Sequence, residues 1–409
     1  MTGTLQTPVP RSRALPVLLA ALASVGPFSI DAYLPAMAEI GEKLQADPIT
    51  VQETLTAYML PFALMTLWHG AISDAAGRRR VILWGIALFA GASAACALAP
   101  SIELLLLFRA LQGITAGAGV VVGRAIVRDC FHGADAQRVM SQITLTFALA
   151  PAIAPVIGGW LEVALGWRSI FVFLVLFAGA CWLACHFLLP ETLPPGRRQP
   201  FSPRFLLRSY RHVLTSRRFV SLCLAVTFNF TGFFIYVASA PKFLTDYLGV
   251  PETGYLWLFG PATIGMALGS WLSGRVAGKW SPRRTLATAY VLMGVATAAN
   301  VGFHSLQAPA LPWSVAPLFL YVLGMSLSFP TLTLLALDLF PVQRGLAASC
   351  QAFVQTTGSA LNTVLAPFVW GSALTLGWTQ ATALLLGVAA LAVHGLHALP
   401  RVAHRATPS

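Results

Sequence analysis

Charge is what this chain has least of. Of its 409 residues, 10% are Asp, Glu, Lys or Arg and 57% are hydrophobic, where ordinary soluble domains are roughly a quarter charged. That leaves too little polar surface to clothe a water-soluble fold, which excludes a soluble enzyme or binding module. Acids are scarcer than bases, 14 against 26. The +12 formal charge alone would fit nucleic acid, but the basic residues lie in alternate short segments between apolar runs, so no nucleic-acid partner is expected. A disulfide framework is missing as well. Cys96, Cys181, Cys185, Cys223 and Cys350 fall inside apolar runs and Cys130 in a basic loop. Cys181 and Cys185 share a helix face without a His or acid nearby, which reads as packing rather than as a metal pair. No G-x-x-x-x-G-K-[ST] phosphate loop, catalytic Ser or Cys signature or soluble domain is found. Enzyme activity, ATP hydrolysis, metals and cofactors are therefore not expected, and any work must draw on an ion gradient or on none.

Apolar runs of about twenty residues fill the chain instead, and a bilayer core takes roughly twenty helical residues to cross. The expected fold is all-α and integral to the membrane, with twelve spans in two six-helix bundles. The first six run near Leu15 to Met37, Gln52 to Ile72, Val81 to Ala99, Ile102 to Gly123, Val139 to Leu161 and Ser169 to Leu189. The others run near Phe219 to Ala240, Gly254 to Val276, Thr285 to His304, Ser314 to Leu337, Gly345 to Phe368 and Leu374 to Ala398. Arg11 and Arg13 before the first run imitate a secretory signal peptide, but the further spans that follow make it an uncleaved first helix.

Basic residues set the orientation. With the N-terminus inside, the inner segments hold Arg11, Arg13, Arg78, Arg79, Arg80, Arg124, Arg128 and Arg138. Arg197, Arg198, Arg204, Arg208, Arg211, Arg217 and Arg218 follow in one long loop, then Arg275, Lys279, Arg283, Arg284, Arg344, Arg401 and Arg405. The outer loops keep only Lys43, Arg168 and Lys242. This positive-inside bias puts both termini in the cytoplasm. The long loop divides the chain into a bundle over residues 1–190, a basic cytoplasmic linker over 191–218 and a second bundle over 219–409. Gly70, Arg79 and Arg80 recur as Gly274, Arg283 and Arg284, an internal echo of duplication. Parallel repeats of this kind put a substrate path between the halves. The linker's basic face and the spans make the lipid bilayer a partner.

An ionisable residue deep in a span is a functional candidate by default. Asp31, in Ser29-Ile-Asp-Ala-Tyr-Leu-Pro35, lies about six residues or roughly 9 Å from the outer end of span one. Arg109 lies at similar depth in span four. Glu103, Asp129, Glu162 and Asp338 sit at span ends or in loops and are weaker candidates. A carboxylate that passes between wet and dry surroundings can take up and release a proton, so Asp31 is read as a proton carrier tuned by Arg109. A purely structural Asp31 and Arg109 pair is the competing reading.

Gly70-Ala-Ile-Ser-Asp74-Ala-Ala-Gly77-Arg78-Arg79-Arg80 is basic as any inner loop tends to be. Its spacing adds a tight turn at glycine and an Asp74 able to pair with arginines or cap a helix, a latch for conformational change. Span five carries Pro151, Pro155, Gly158 and Gly159, which bend a helix and let neighbours approach. Asn229 and Tyr236, seven apart in span seven, and Tyr33, Tyr58 and Gln112 in the first half offer polar contacts in an apolar wall, as substrate or as packing residues. His394 and His397 lack the company of a metal site.

At these residues the sequence resembles the major facilitator superfamily, and within it the twelve-span drug:proton antiporters. Gly70 to Arg80 is similar to motif A, Arg109 with Gly113 to motif B, and Pro151 to Gly159 to the antiporter motif C. The Asp31-Ala-Tyr-Leu-Pro35 segment and Glu191-Thr-Leu-Pro-Pro195 narrow the resemblance to the Bcr/CflA subfamily of bicyclomycin and amphenicol exporters of the bacterial inner membrane. The resemblance implies that Asp31 binds protons or substrate, that Arg109 assists proton exchange and that the span-five kink suppresses leakage. Ala75 departs from motif A, where a basic residue often stands. Ala150 and Ala154 replace glycines of motif C, and span ten has no counterpart of Arg109, so coupling is expected in the first half.

The function expected is that of a monomeric, proton-coupled exporter of small apolar or amphipathic drugs, bound between the two halves. Its partners are the drug and protons. An exporter of an endogenous metabolite would want a more polar pocket. A passive channel would show polar rings and a receptor a soluble signalling domain, and neither is present.

Overall fold

Apolar side chains give their backbone no alternative hydrogen bonds and lipid gives none either, so each span must satisfy its own N–H and C=O groups as a helix. The computed structural model describes residues 14–131, 133–341 and 343–394. Arg11, Arg13, His397, Arg401 and Arg405 lie outside the described residues, as does the side chain of His394. The helices are α1 (Ala14–Asp31), α2 (Met37–Lys43), α3 (Pro48–Ala76), α4 (Arg78–Ala97), α5 (Ile102–Cys130), α6 (Gly133–Leu165) and α7 (Arg168–Leu188). After these come α8 (Pro203–Leu214), α9 (Arg217–Ala238), α10 (Leu256–Val276), α11 (Pro282–Leu306), α12 (Ala316–Asp338), α13 (Arg344–Leu365) and α14 (Ala373–His394). Every expected span has its helix, and α2 and α8 are the two short ones. Among the described residues nine helical runs are long and apolar enough to cross a membrane, and Ala150–Leu165 of α6 is a shorter apolar stretch. The fold is all-α and membrane-embedded.

The apolar pattern marks membrane thickness rather than helix length. Spans expected to stop at Ile72 and Gly123 continue to Ala76 and Cys130, and the fifth begins at Gly133 instead of Val139. Polar residues at these ends are held by the ordinary helical ladder.

The first span differs from expectation in kind. Its α-helix stops at Asp31, a 3₁₀ turn follows over Leu34–Ala36, and α2 resumes to Lys43. Pro35 causes the break: it has no N–H to give the Asp31 carbonyl. The helical run thus ends at Lys43 rather than Met37.

Contacts divide the chain into two compact units. One holds residues up to Ala46 and Leu60–Ser202; the other holds Asp47–Met59 and Pro203 onward. In the first, α1 packs against α5, α6 and α7, and α4 against α5 and α7. Glycine makes the closest of these contacts possible. A Cβ on Gly119 of α5 would stand 2.5 Å from the Leu22 carbonyl oxygen, and one on Gly158 of α6 would overlap the Ala32 carbonyl oxygen. At the far end of α1 and α2, Glu39 Oε2 accepts the Trp167 N–H at 2.7 Å, where Gly166 turns the chain at φ +79°.

In the second unit α9 packs on α12, α13 and α14, and α12 on α10 and α11. Gly265 and Gly269 of α10 face the Phe319 and Leu323 carbonyls of α12 so closely that a side chain at either would collide with them. Asp47 begins α3 by accepting the N–H groups of Ile49 at 2.9 Å and Thr50 at 3.1 Å, with Pro48 at the first helical position. The hydrogen bonds from Thr50, side chain first, hold the Asp47 carboxyl below the ordinary carboxylate range. Thr56 and Thr363 meet hydroxyl to hydroxyl at 2.8 Å in the same unit.

Gly158→Ala is expected to destabilise by about 1–3 kcal/mol, the range of overpacking, because the new methyl meets backbone that cannot rotate away. Gly91→Ala is the control: nothing lies within 4 Å of its Cβ position, and alanine favours a helix interior by about 0.5–1 kcal/mol. Thermal unfolding in detergent should place the two variants on opposite sides of the parent.

Candidate functional site

The break in α1 lies beside α5. Arg109 of α5 is fully buried, and its Nη1 donates to the Ser29 carbonyl at 3.1 Å, to Ser29 Oγ at 3.1 Å and to Gln112 Oε1 at 2.7 Å. Gln112 Nε2 passes the chain to Ser93 Oγ of α4 at 2.8 Å, and Ser93 gives its proton to the Phe89 carbonyl at 2.8 Å. The guanidinium carbon stands 4.6 Å from the centre of the Tyr33 ring, close enough for a cation–π attraction. Tyr33 in turn rests on Phe171 of α7, ring centres 5.8 Å apart. Arg109, Gln112, Ser93, Ser29 and Tyr33 thus form one buried polar cluster among α1, α4 and α5.

Asp31 is on the same helix as Ser29 and is 5% exposed. Among the described residues no hydrogen bond or ion pair reaches its carboxylate. The structure therefore brings Asp31 and Arg109 to neighbouring helices, and among the described residues they do not form an ion pair. On α6, Pro151 and Pro155 lie inside a helix that continues through both. Gly158 and Gly159 are buried, and Gly158 is the point at which α6 reaches the residue after Asp31. Tyr58 is also buried, but it belongs to the other unit.

The loop between α3 and α4 is built around one arginine. Gly77 turns at φ +102°, a conformation that favours glycine, and a Cβ there would meet Glu191 Oε2 at 2.5 Å. Arg78, 8% exposed, places Nη1 2.6 Å from Asp74 Oδ1 and 2.5 Å from Ser73 Oγ, and Nε 3.2 Å from Asp129 Oδ2. Asp129, ranked a weaker candidate from sequence, is thus a principal partner. Glu191 Oε1 accepts the backbone N–H of Arg78 and of Leu193, both at 3.0 Å. Thr192 Oγ1 donates to Asp129 Oδ2 at 3.0 Å, and the Gln199 N–H to the Asp74 carbonyl at 3.1 Å. Arg79 Nη2 donates to the His186 carbonyl at 2.6 Å. Gly70 sits opposite Val121 of α5. This loop ties α3, α4, α5 and the Glu191-Thr192 segment together within the first unit.

In the second unit Asn229 and Tyr236 make bonds between helices. Asn229 Nδ2 donates to Tyr290 Oη of α11 at 3.1 Å, and Tyr321 Oη of α12 donates to the Asn229 carbonyl at 3.1 Å. Asn300 Nδ2 of α11 donates to Tyr236 Oη at 2.6 Å and to Gln380 Oε1 of α14 at 2.8 Å. Sequence reasoning singled out neither Asn300 nor Gln380. An amide inside an apolar span was the available signal, and it was the signal already used for Asn229. His69 of α3 was missed too: it is 5% exposed and packs over Gly117 of α5.

The family model of the Major Facilitator Superfamily matches residues 18–367 and, in a second overlapping match, 222–408. The chain belongs to the major facilitator superfamily. It is similar to an uncharacterized MFS-type transporter, YdgK, of Bacillus subtilis, 34% identical over 89% of this chain and 90% of that one. A bicyclomycin resistance protein homolog of Haemophilus influenzae is 30% identical over 64% of this chain and 66% of its own. Multidrug resistance protein D of Escherichia coli is 27% identical over 86% and 88% respectively. This major facilitator protein is therefore a multi-pass membrane transporter and not an enzyme.

The loop after α3 gives the second test. Glu191→Gln keeps an oxygen for the Arg78 and Leu193 N–H groups and should melt close to the parent. Glu191→Ala leaves both donors without that acceptor and is expected to cost about 1 kcal/mol. Thermal unfolding followed by tryptophan fluorescence separates the two; equal melting of both variants below the parent would show that the charge, not the acceptor, is what matters.

Proposed function

We propose that this transporter is a proton-coupled drug exporter of the bacterial inner membrane, with both termini in the cytoplasm, working as a monomer on small apolar or amphipathic molecules of the amphenicol or bicyclomycin type. The observation that carries the proposal is Asp31, a buried carboxylate at a helix break, without a hydrogen bond or ion pair among the described residues. A carboxylate locked to a guanidinium stays ionised, whereas one whose surroundings alone decide its state can bind and release a proton. Arg109 acts as a positioning residue: it grips the Ser29 carbonyl and so holds the break in α1 open beside Tyr33 and Gln112. The relatives named for bicyclomycin and multidrug resistance support the substrate class. The Arg78 loop is the conformational latch of this reading. The close packing of α6 at Gly158, in the segment with Pro151, Pro155 and Gly159, keeps protons from leaking past Asp31.

Reconstituted vesicles provide the test. With an acid interior, protons leaving the lumen should drive labelled chloramphenicol inward against its gradient. Asp31→Asn carries no exchangeable carboxyl proton, so accumulation should fall to that of protein-free vesicles, while exchange of labelled for unlabelled drug, which needs no net proton movement, persists. Full gradient-driven accumulation by Asp31→Asn would sink the proposal. Equilibration of the drug by the parent without accumulation, whatever the pH gradient, would show facilitated diffusion instead.

A further inference from the structure

One end of the second unit combines a basic helix with an apolar groove. Between Glu191 and Asp246 the chain has no acidic residue, while seven arginines fall between Arg197 and Arg218. Helix α8 lies in this stretch. It docks through Tyr210 and Val213, both buried, on α13 and α9. At the helical period of 3.6 residues, the remaining surface shows Leu207, Arg211, Arg204, Arg208, His212 and Phe205 in that order. Leu207 is 56% and Phe205 64% exposed, and the three arginines are exposed too. A strip of arginines edged on both sides by large apolar side chains suits the boundary between headgroups and acyl chains, not bulk water.

The groove begins where α8 ends. A cavity of about 330 Å³ is bounded by Leu214, Arg217, Val220 and Leu224 on one side and by Ala390 and Val393 of α14 on the other. Its walls are mostly apolar and its one charged residue, Arg217, is at the start of α9. A free anion would find the arginine but nothing for the walls to bind. A neutral lipid would fill the walls and leave the arginines of α8 without a counter-charge.

We propose that this groove and the outward face of α8 bind an anionic phospholipid, with an acyl chain along Val220, Leu224 and Val393 and the phosphate on Arg217 and Arg211. The cavity of about 420 Å³ on the first unit does not share this chemistry. Its arginine, Arg79, is engaged with the His186 carbonyl, and Glu191 adds an acid to its wall. The lipid proposal does not depend on which molecule is transported.

The test uses the full-length protein, exchanged into detergent with equal phosphatidylglycerol and phosphatidylcholine of the same chain length, and native mass spectrometry. The parent should retain phosphatidylglycerol in preference. Arg217→Gln and Arg211→Gln should each lower that preference roughly fivefold, the effect of one basic residue at an anionic surface. Val220→Trp, which fills the groove but leaves every arginine, should release the lipid as well. Arg344→Gln, at the start of α13 and paired with Asp338 at 2.7 Å, should change nothing. Equal retention of the two lipids by the parent would overturn the proposal. So would a loss in Arg344→Gln as large as in Arg217→Gln, since that is general charge attraction. Displacement by glycerol phosphate as effective as by the lipid would also overturn it, because the groove would then be irrelevant. Thermal unfolding of each variant confirms that the loss is not one of folding.

Discussion

A broken helix has to be hidden from lipid, and the first unit is arranged around doing so. Pro35 deprives the Asp31 carbonyl of its donor, and an unsatisfied backbone group in hydrocarbon costs several kcal/mol. The break must therefore be enclosed by protein. Gly158 lets α6 come up against Ala32, and Gly119 lets α5 come up against Leu22. The approach of α5 also delivers Arg109 to the Ser29 carbonyl, a backbone acceptor just before the ladder is lost. The small residues of α5 and α6, the proline of the first span and the buried arginine are parts of a single solution.

Among the described residues two arginines of this unit are buried, and they are held by different means. Arg78 is surrounded by carboxylates, with the Asp74 and Asp129 side chains 40% and 24% exposed, so water shares the load and each pair is individually modest. Arg109 is fully buried and held by a carbonyl, a hydroxyl, an amide and an aromatic face. Among the described residues the second unit has no buried arginine. Its internal polar groups include amides, hydroxyls and the His304 imidazole; Asn229 bonds Tyr290, and Asn300 bonds Tyr236 and Gln380, linking α9, α11 and α14.

The sequence made the helices legible because hydrocarbon leaves only one backbone solution, and it made Asp31 and Arg109 legible because charge is so rare in the spans. It was less informative where structure depends on what a missing atom permits. Pro35 was in view, yet the break it causes shows only once the Asp31 carbonyl is known to need a donor. Asp129 looked peripheral at the end of its span, since nothing local announces that Arg78, fifty-one residues earlier, needs a second carboxylate. Glu191 carried a family resemblance before it carried a reason; its reason is two backbone N–H groups at the start of α4 and in the linker. Asn300 and Gln380 lie eighty residues apart, and pairing over such a separation follows from the fold alone.

The repeated loops show why duplication did not yield two equal halves. Gly274, Arg283 and Arg284 stand where Gly70, Arg79 and Arg80 stand in the first copy, at the end of one helix and the start of the next. In the second copy, however, Ser281 begins α11 by accepting the Arg284 N–H, with Pro282 at the first helical position. Such a start is complete within four residues. In the first copy the start of α4 draws its acceptor from Glu191, 113 residues away, and its arginine from there reaches Asp74 and Asp129. A locally capped turn can move with its own two helices and disturb nothing else. A turn capped from the linker cannot move without breaking bonds that bind α3, α4 and α5 together. The start of α4 is thereby tied at once to α3, α5 and the linker.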